Sequence, residues 1–148
     1  MIYTNSVVNA LYTTLSSDQT LVNYNVLVEL YRIQNSDPSN IPYWVGVLQP
    51  EVDVNPWRSN ITAPWKAEYN LGIITQVQNY SDIELQWQAM QQLDELNNHV
   101  WSAVNCNRIL DGTVNMVTGF NISPFNRDDI ESDDFLMSQV NIIAEVFA

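Results

Sequence analysis

The sequence predicts an α+β fold: a small antiparallel or mixed β-sheet flanked by an N-terminal helix and one long helix, in the order α-β-β-β-α-β-β. Three observations predict it. Residues 65–78 alternate apolar and polar side chains over a long run, residues 82–105 repeat apolar side chains at spacings of three and four, and residues 135–147 alternate again. At 148 residues and 17.0 kDa, with no internal repeat and no dividing linker, one domain spanning 1–148 is expected.

Asn5 or Ser6 is placed to cap a first helix whose Val8, Leu11, Tyr12 and Leu15 share a face. Ser16-Ser17-Asp18 ends it or starts a short turn, and Leu21 adds one more apolar anchor. Val26 to Ile33 is rich in β-branched residues and alternates, which favours a strand. Gln34 to Pro42 is a polar loop. Tyr43 to Leu48 is a short apolar run around Gly46, read as a strand buried on both sides or shielded by an oligomer partner. Glu51 to Pro64 holds two prolines and no helical stripe, so it reads as a long connection, a hairpin extension or an interface arm.

Trp65 to Gln78 is the clearest strand: Trp65, Ala67, Tyr69, Leu71, Ile73, Thr75 and Val77 share one face, and Ile74 is the apolar exception on the other. Ser81 or Asp82 caps the long helix, with Glu84 in its first turn. Its stripe is Leu85, Ala89, Leu93, Leu96, Val100 and Val104; Met90 and Trp101 flank it and read as core packing, while Trp87 sits outside. Leu110-Asp111-Gly112-Thr113 reads as a turn of the kind that joins strands. A strand follows in which Val114, Met116, Thr118 and Phe120 alternate with Asn115, Val117, Gly119 and Asn121. Phe125 to Asp134 is a polar, acidic loop. In the last strand, Phe135 to Phe147, the even positions Leu136, Ser138, Val140, Ile142, Ala144 and Val146 form the cleaner apolar face.

Charge narrows the function. Asp plus Glu number 17 against 5 Lys plus Arg, a formal net charge of -12 that disfavours coating of DNA or RNA. The cations Arg32, Arg58, Lys66, Arg108 and Arg127 are dispersed. No apolar run is long enough to span a membrane, and no signal-peptide pattern is present at the N-terminus.

Chemistry is sparse. Cys106 is the only cysteine and reads as a partly buried residue near a helix end; His99 is the only histidine and sits on what reads as the same helix, which makes an unconvincing dyad. The run Asp128 to Asp134 lacks the glycine and terminal glutamate of a calcium loop, so it reads as a solvated loop or an acidic contact surface. Asp94 and Glu95 are adjacent on a helix and do not face one another. Four scattered glycines form no phosphate-cradling loop, and the Asn-x-Ser/Thr triplets at Asn60, Asn79 and Asn121 read as chance matches. No catalytic residue, metal ligand or cofactor is assigned, and an enzyme is not expected. Five tryptophans are many for this size, and large aromatics favour interfaces. Trp57 with the adjacent Arg58, Trp44, Trp87 and the acidic pair Asp128 and Asp129 are therefore the candidate interface residues.

The order of motifs resembles the tail terminator, or tail completion, proteins of tailed bacteriophages, close to the head–tail neck proteins. The likeness rests on the helix from Asn5 to Leu15, Tyr43-Trp44-Val45-Gly46-Val47-Leu48-Gln49-Pro50, Trp65-Lys66-Ala67-Glu68-Tyr69-Asn70-Leu71-Gly72, the long helix from Asp82, Gly112-Thr113-Val114, and Val140 to Val146. The Glu51 to Pro64 and Phe125 to Asp134 segments depart from the family's compact pattern. The resemblance implies a structural virion protein of the tail-neck region, assembled in the host cytoplasm. It implies a homo-oligomeric ring, usually a hexamer, that ends tail-tube polymerisation. The implied partners are the tail tube protein and the head connector or stopper protein. DNA would pass through the channel as cargo without specific binding, and no membrane is involved. The alternatives are another neck or head–tail joining protein, or a non-viral dimeric α+β binding module.

Overall fold

The computed structural model describes residues 4–30, 43–56, 65–78, 83–124 and 135–147. Helices α1 (Thr4–Ser16) and α2 (Gln19–Asn23) lead into strands β1 (Leu27–Leu30), β2 (Tyr43–Val47), β3 (Glu51–Pro56) and β4 (Trp65–Gln78); helix α3 (Ile83–Asn105), a 3₁₀ turn (Leu110–Gly112), β5 (Met116–Pro124) and β6 (Phe135–Phe147) follow. The fold is α+β, as the periodicities predict.

The sheet is mixed, with strands in the order β1-β2-β4-β6-β5 and β3 also on β4. Among the described residues only β1 and β2 run parallel. Its backbone is the β4–β6 ladder, paired from Lys66↔Phe147 to Gln78↔Phe135. On the other edge of β4, β2 pairs with residues 73–77 and β3 with residues 65–70. Between them the register slips by one residue, so β2 and β3 are one long strand bent at a bulge over Leu48, Gln49 and Pro50. Leu48 N still donates to Gly72 O at 2.9 Å, and Pro50, which has no N–H to give, falls where the ladder is interrupted. Glu51–Pro56 thus adds a strand to the expected order, which is the hairpin-extension reading of that segment; 57–64 lie outside the described residues.

The odd positions of β4 and the even positions of β6 face the helices. Ala67, Tyr69, Leu71, Ile73 and Val77 pack with Val140, Ile142 and Ala144 against Leu96, Val100 and Val104 of α3 and Leu11 and Leu15 of α1. Within this apolar layer sits a buried polar cluster. Thr75 Oγ1 donates to Asn97 Oδ1 (2.6 Å), Asn97 Nδ2 donates to Ser138 Oγ (3.0 Å), and the two hydroxyls are 2.5 Å apart. With the Ser138 hydroxyl donating to Thr75, the three groups close a ring of hydrogen bonds. That ring fixes where along the sheet α3 lies.

Four local readings are corrected. On α1 the buried stripe is Val7, Ala10, Leu11 and Leu15, with Val8 and Tyr12 only partly buried, so the helix is rotated by about one position from the expected face. In β5 a register shift between Val117 and Gly119 inserts Thr118, so Val117 and Phe120 pair with the core-facing Ala144 and Ile142 despite their opposite parity. The 110–113 turn joins a helix to a strand, with Leu110, Asp111 and Gly112 all at positive φ (44°, 57° and 83°). Cys106 is exposed, one residue past the end of α3 and on a different side from the buried Ala103 and Val104.

Asp18 supports the short α2 by accepting from Leu21 N at 3.2 Å. An N-cap aspartate is worth about 1 kcal/mol. Asp18→Ala is therefore expected to lower the urea-unfolding free energy by about that amount, and no change in the midpoint would show that α2 is held by Leu21 burial alone.

Candidate interaction surfaces

Helix α3 runs antiparallel to β4. Asn97 sits over Thr75 and Ser138, and further along Trp101 stacks on Phe120 of β5 at 4.6 Å. About 21 Å of helix precedes Asn97, whereas β4 continues only about 10 Å beyond Thr75. The first turns of α3 therefore reach past the described end of the sheet. The exposures agree: Ile83 is 72% and Trp87 63% exposed, and Leu85 and Met90 are also exposed. Ile83, Trp87 and Met90 stand four and three residues apart and share a stripe. Leu85 lies on another side, so apolar side chains stand on two sides of this end of the helix, with Glu84 and Gln88 between them. The reading of Leu85 and Met90 as core is corrected here: Leu85 lies beyond the described end of the sheet, and Met90 is turned about 100° from its fully buried neighbour Ala89. Deeper in the helix Ala89, Leu96, Val100 and Val104 are buried as expected.

The other predicted interface residues separate. Trp44 is buried. Its side chain lies on the sheet face that no described helix covers, across Gly46, and its Nε1 donates to Glu29 Oε2 at 3.4 Å. Trp57, Arg58, Asp128 and Asp129 lie outside the described residues. The strands that flank them end at opposite ends of the sheet: Pro56 pairs with Trp65 where β4 begins, and Phe135 pairs with Gln78 where β4 ends.

The helix-free face is polar over much of its area. Its cross-strand row Asp53–Glu68–Glu145 spans three adjacent strands, with Glu51 in the next row. Neighbouring positions in such a row are about 5 Å apart, so these four side chains gather negative charge at one end of the face. Among the described residues no group of three His, Cys, Asp or Glu is placed to hold a metal ion. His99 lines a shallow cleft with Tyr43 and Glu95, its ring 4.8 Å from Tyr24, about two helical turns from Cys106. No described helix is long and apolar enough to cross a membrane.

No protein-family model matches the sequence, and neither does any curated protein. Among solved structures, a chain from the virion of a native gene transfer agent particle has a similar fold. The TM-score is 0.52 at 11% sequence identity, over 95% of this chain and 94% of that chain. At that identity the likeness is one of fold.

Proposed function

We propose, taking a fold shared end to end with a virion chain as the premise, that this protein is a structural component of a virus-like particle. More specifically, it is a tail terminator: copies form a ring at the head-proximal end of the tail tube, stop tube polymerisation and present a surface to the head connector. The shared fold is the observation that carries the reading, because it extends over nearly the whole of both chains. The surface supports it, since four exposed apolar side chains, Ile83, Leu85, Trp87 and Met90, stand together at the overhanging end of α3 and carboxylates line part of a sheet face. A neck protein that joins head to tail is the second reading, favoured by β3, which lengthens the sheet beyond the compact tail-terminator pattern.

Electron microscopy of the purified protein, alone and mixed with tubes of the tail protein from the same particle, tests the reading. Rings in the isolated sample and a cap on one tube end are expected; decoration of tube walls, or monomers throughout, would overturn it. DNA is passing cargo in this reading. With a net charge of -12, the protein is expected to leave duplex DNA unretarded in a gel at about 0.15 M salt. Salt-resistant retention would remove the cargo role.

A further inference from the structure

We infer that the outer edge of β5 is a pairing surface for a second copy of this chain: residues 119–123 of two copies lie antiparallel about a two-fold axis at Asn121 and join the two sheets into one. The contact does not rest on the ring reading, since a ring closes through two different surfaces and this contact uses one surface twice.

β5 ends the sheet, and no described strand lies beyond it. Backbone groups along a strand point alternately to its two sides. Leu48 N donates to Gly72 O, so even positions of β4 bond towards β2 and odd positions towards β6. Thr75 pairs with Ser138, so the odd positions of β6 bond towards β5. Their partners past the Thr118 bulge are Gly119, Asn121 and Ser123. Phe120, Ile122 and Pro124 therefore turn their backbone groups outward. Two facts agree. Val117 N donates outward, to Arg108 O at 2.8 Å, and Pro124 is tolerated because its nitrogen faces away from the ladder.

That edge matches itself. With Asn121 opposite its own copy, Phe120 faces Ile122 of the second copy, and each donates to and accepts from the other. Four hydrogen bonds form, and both outward N–H groups between the bulge and Pro124 are used. Sliding the register by two residues sets Phe120 against Pro124, which has no N–H, or Ile122 against the bulge. The pairing also lays Phe120 beside Ile122, which is 47% exposed, and aromatic and β-branched residues make favourable cross-strand pairs.

Charge favours a second copy here. At a net charge of -12, copies associate best where carboxylates are absent. The other free edges carry them, Glu29 on β1 and Glu51 and Asp53 on β3. Residues 119–123 and their partners Gln139 to Ile143 carry none. Charges lie beyond both ends of this window: Arg108, Asp111 and Glu145 towards the start of β5, and Asp94 of α3 towards its end. The two-fold axis sets each end against the opposite end of the other copy. Glu145, four residues from the axis, stands about 26 Å along the strands from its own copy, well past the screening length.

Cysteine cross-linking reads the register. Asn121 is exposed, and directly opposed residues of a non-hydrogen-bonded pair have Cα atoms about 4.5 Å apart, within disulfide reach. In a Cys106→Ser background, Asn121→Cys is expected to give a cross-linked dimer in high yield under mild oxidation. Ser123→Cys is expected to stay unlinked, its copies being about 13 Å apart. Ile122→Pro removes an outward N–H and leaves the ladder to β6 whole. Two of the four bonds are lost, so dimerisation in sedimentation velocity is expected to weaken about tenfold or more. Ile122→Lys replaces it, with the same expectation, if circular dichroism shows the proline variant misfolded. An Asn121→Cys variant that stays unlinked, equal cross-linking at 121 and 123, or unchanged association of the Ile122 variant overturns this contact and leaves the ring reading standing. Cross-linked dimers that never form rings support the contact and overturn the ring reading alone.

Discussion

Asn97→Ala is expected to lower the free energy of unfolding by about 3 kcal/mol. The carboxamide is the only group in the cluster that reaches from α3 to the sheet, meeting Thr75 Oγ1 at 2.6 Å and Ser138 Oγ at 3.0 Å. All three residues are buried. Truncation leaves the two hydroxyls with only each other and the Ser138 carbonyl, 3.4 Å from Thr75 Oγ1. It also opens a hole under the helix. An unsatisfied buried polar group costs about 1–3 kcal/mol and the lost packing adds to that. The companion variant decides the mechanism. Replacing the whole cluster (Thr75→Val, Asn97→Leu, Ser138→Ala) removes every polar atom of the three side chains together and keeps most of the volume. It is expected to cost less than Asn97→Ala alone, because the penalty lies in stranding partners rather than in losing a favourable contact. Urea unfolding of the single and triple variants measures this, and costs that add across the three sites would show that the hydrogen-bonded ring is not a unit.

That cluster also shows what the pattern of residues can and cannot carry. Thr75 and Ser138 stand at core-facing positions of their strands, and period-2 alternation places both on the helix side. Nothing in the spacing says that Asn97 is their partner, since a helical asparagine on the same face is equally at home near solvent. The same limit applies to strands. Val52 alternates with Glu51 and Asp53 and is paired with Tyr69, a strand pattern too short to stand out in a segment that holds Pro56 and Pro64. Pro56 is tolerated because it ends an edge strand. The bulge at Thr118 leaves no mark except the glycine that follows it. On α1, Val7 and Val8 are adjacent and apolar, so periodicity alone cannot choose between two faces a hundred degrees apart.

The candidate surface was legible to a similar depth. Trp87 falls outside the helical stripe and is exposed, in line with its angular position. Leu85 is on the apolar stripe yet exposed, because burial on a helix depends on where the sheet beneath it stops; Met90 is exposed because it flanks that stripe, about 100° from the buried Ala89. Periodicity fixes the face of a residue and is silent about the length of its support. Trp44 was singled out as an aromatic in a small domain, yet it is consumed inside its own chain. The signal that bears on this is Gly46 two residues later, on the same face of the strand.

Gly46→Ala is expected to destabilise the protein by about 3 kcal/mol, which is large for one added methyl group. A Cβ at position 46 would press into the Trp44 ring, with Cζ3 and Cζ2 within 2.8 and 2.9 Å. Trp44 is 2% exposed, so the ring has little room to give way. It also replaces a helix: on the face that no described helix covers, Trp44 pairs across to Gln76, and Gly46 to Ile74, and both partners are buried there. Displacing the indole therefore adds exposure of Ile74 to the overpacking strain of about 1–3 kcal/mol. Trp44→Leu alone is expected to cost about 3 kcal/mol, near the lower end for loss of a buried large aromatic. Combined with Gly46→Ala it should cost at least about 1 kcal/mol less than the sum, because the smaller side chain leaves space for the methyl group. The same pair of substitutions decides between two roles for Trp44. If the ring serves its own subunit, urea unfolding of the monomer shifts and the two changes are coupled. If the ring served a contact between subunits, Gly46→Ala would weaken assembly in sedimentation while leaving the urea midpoint of the monomer in place.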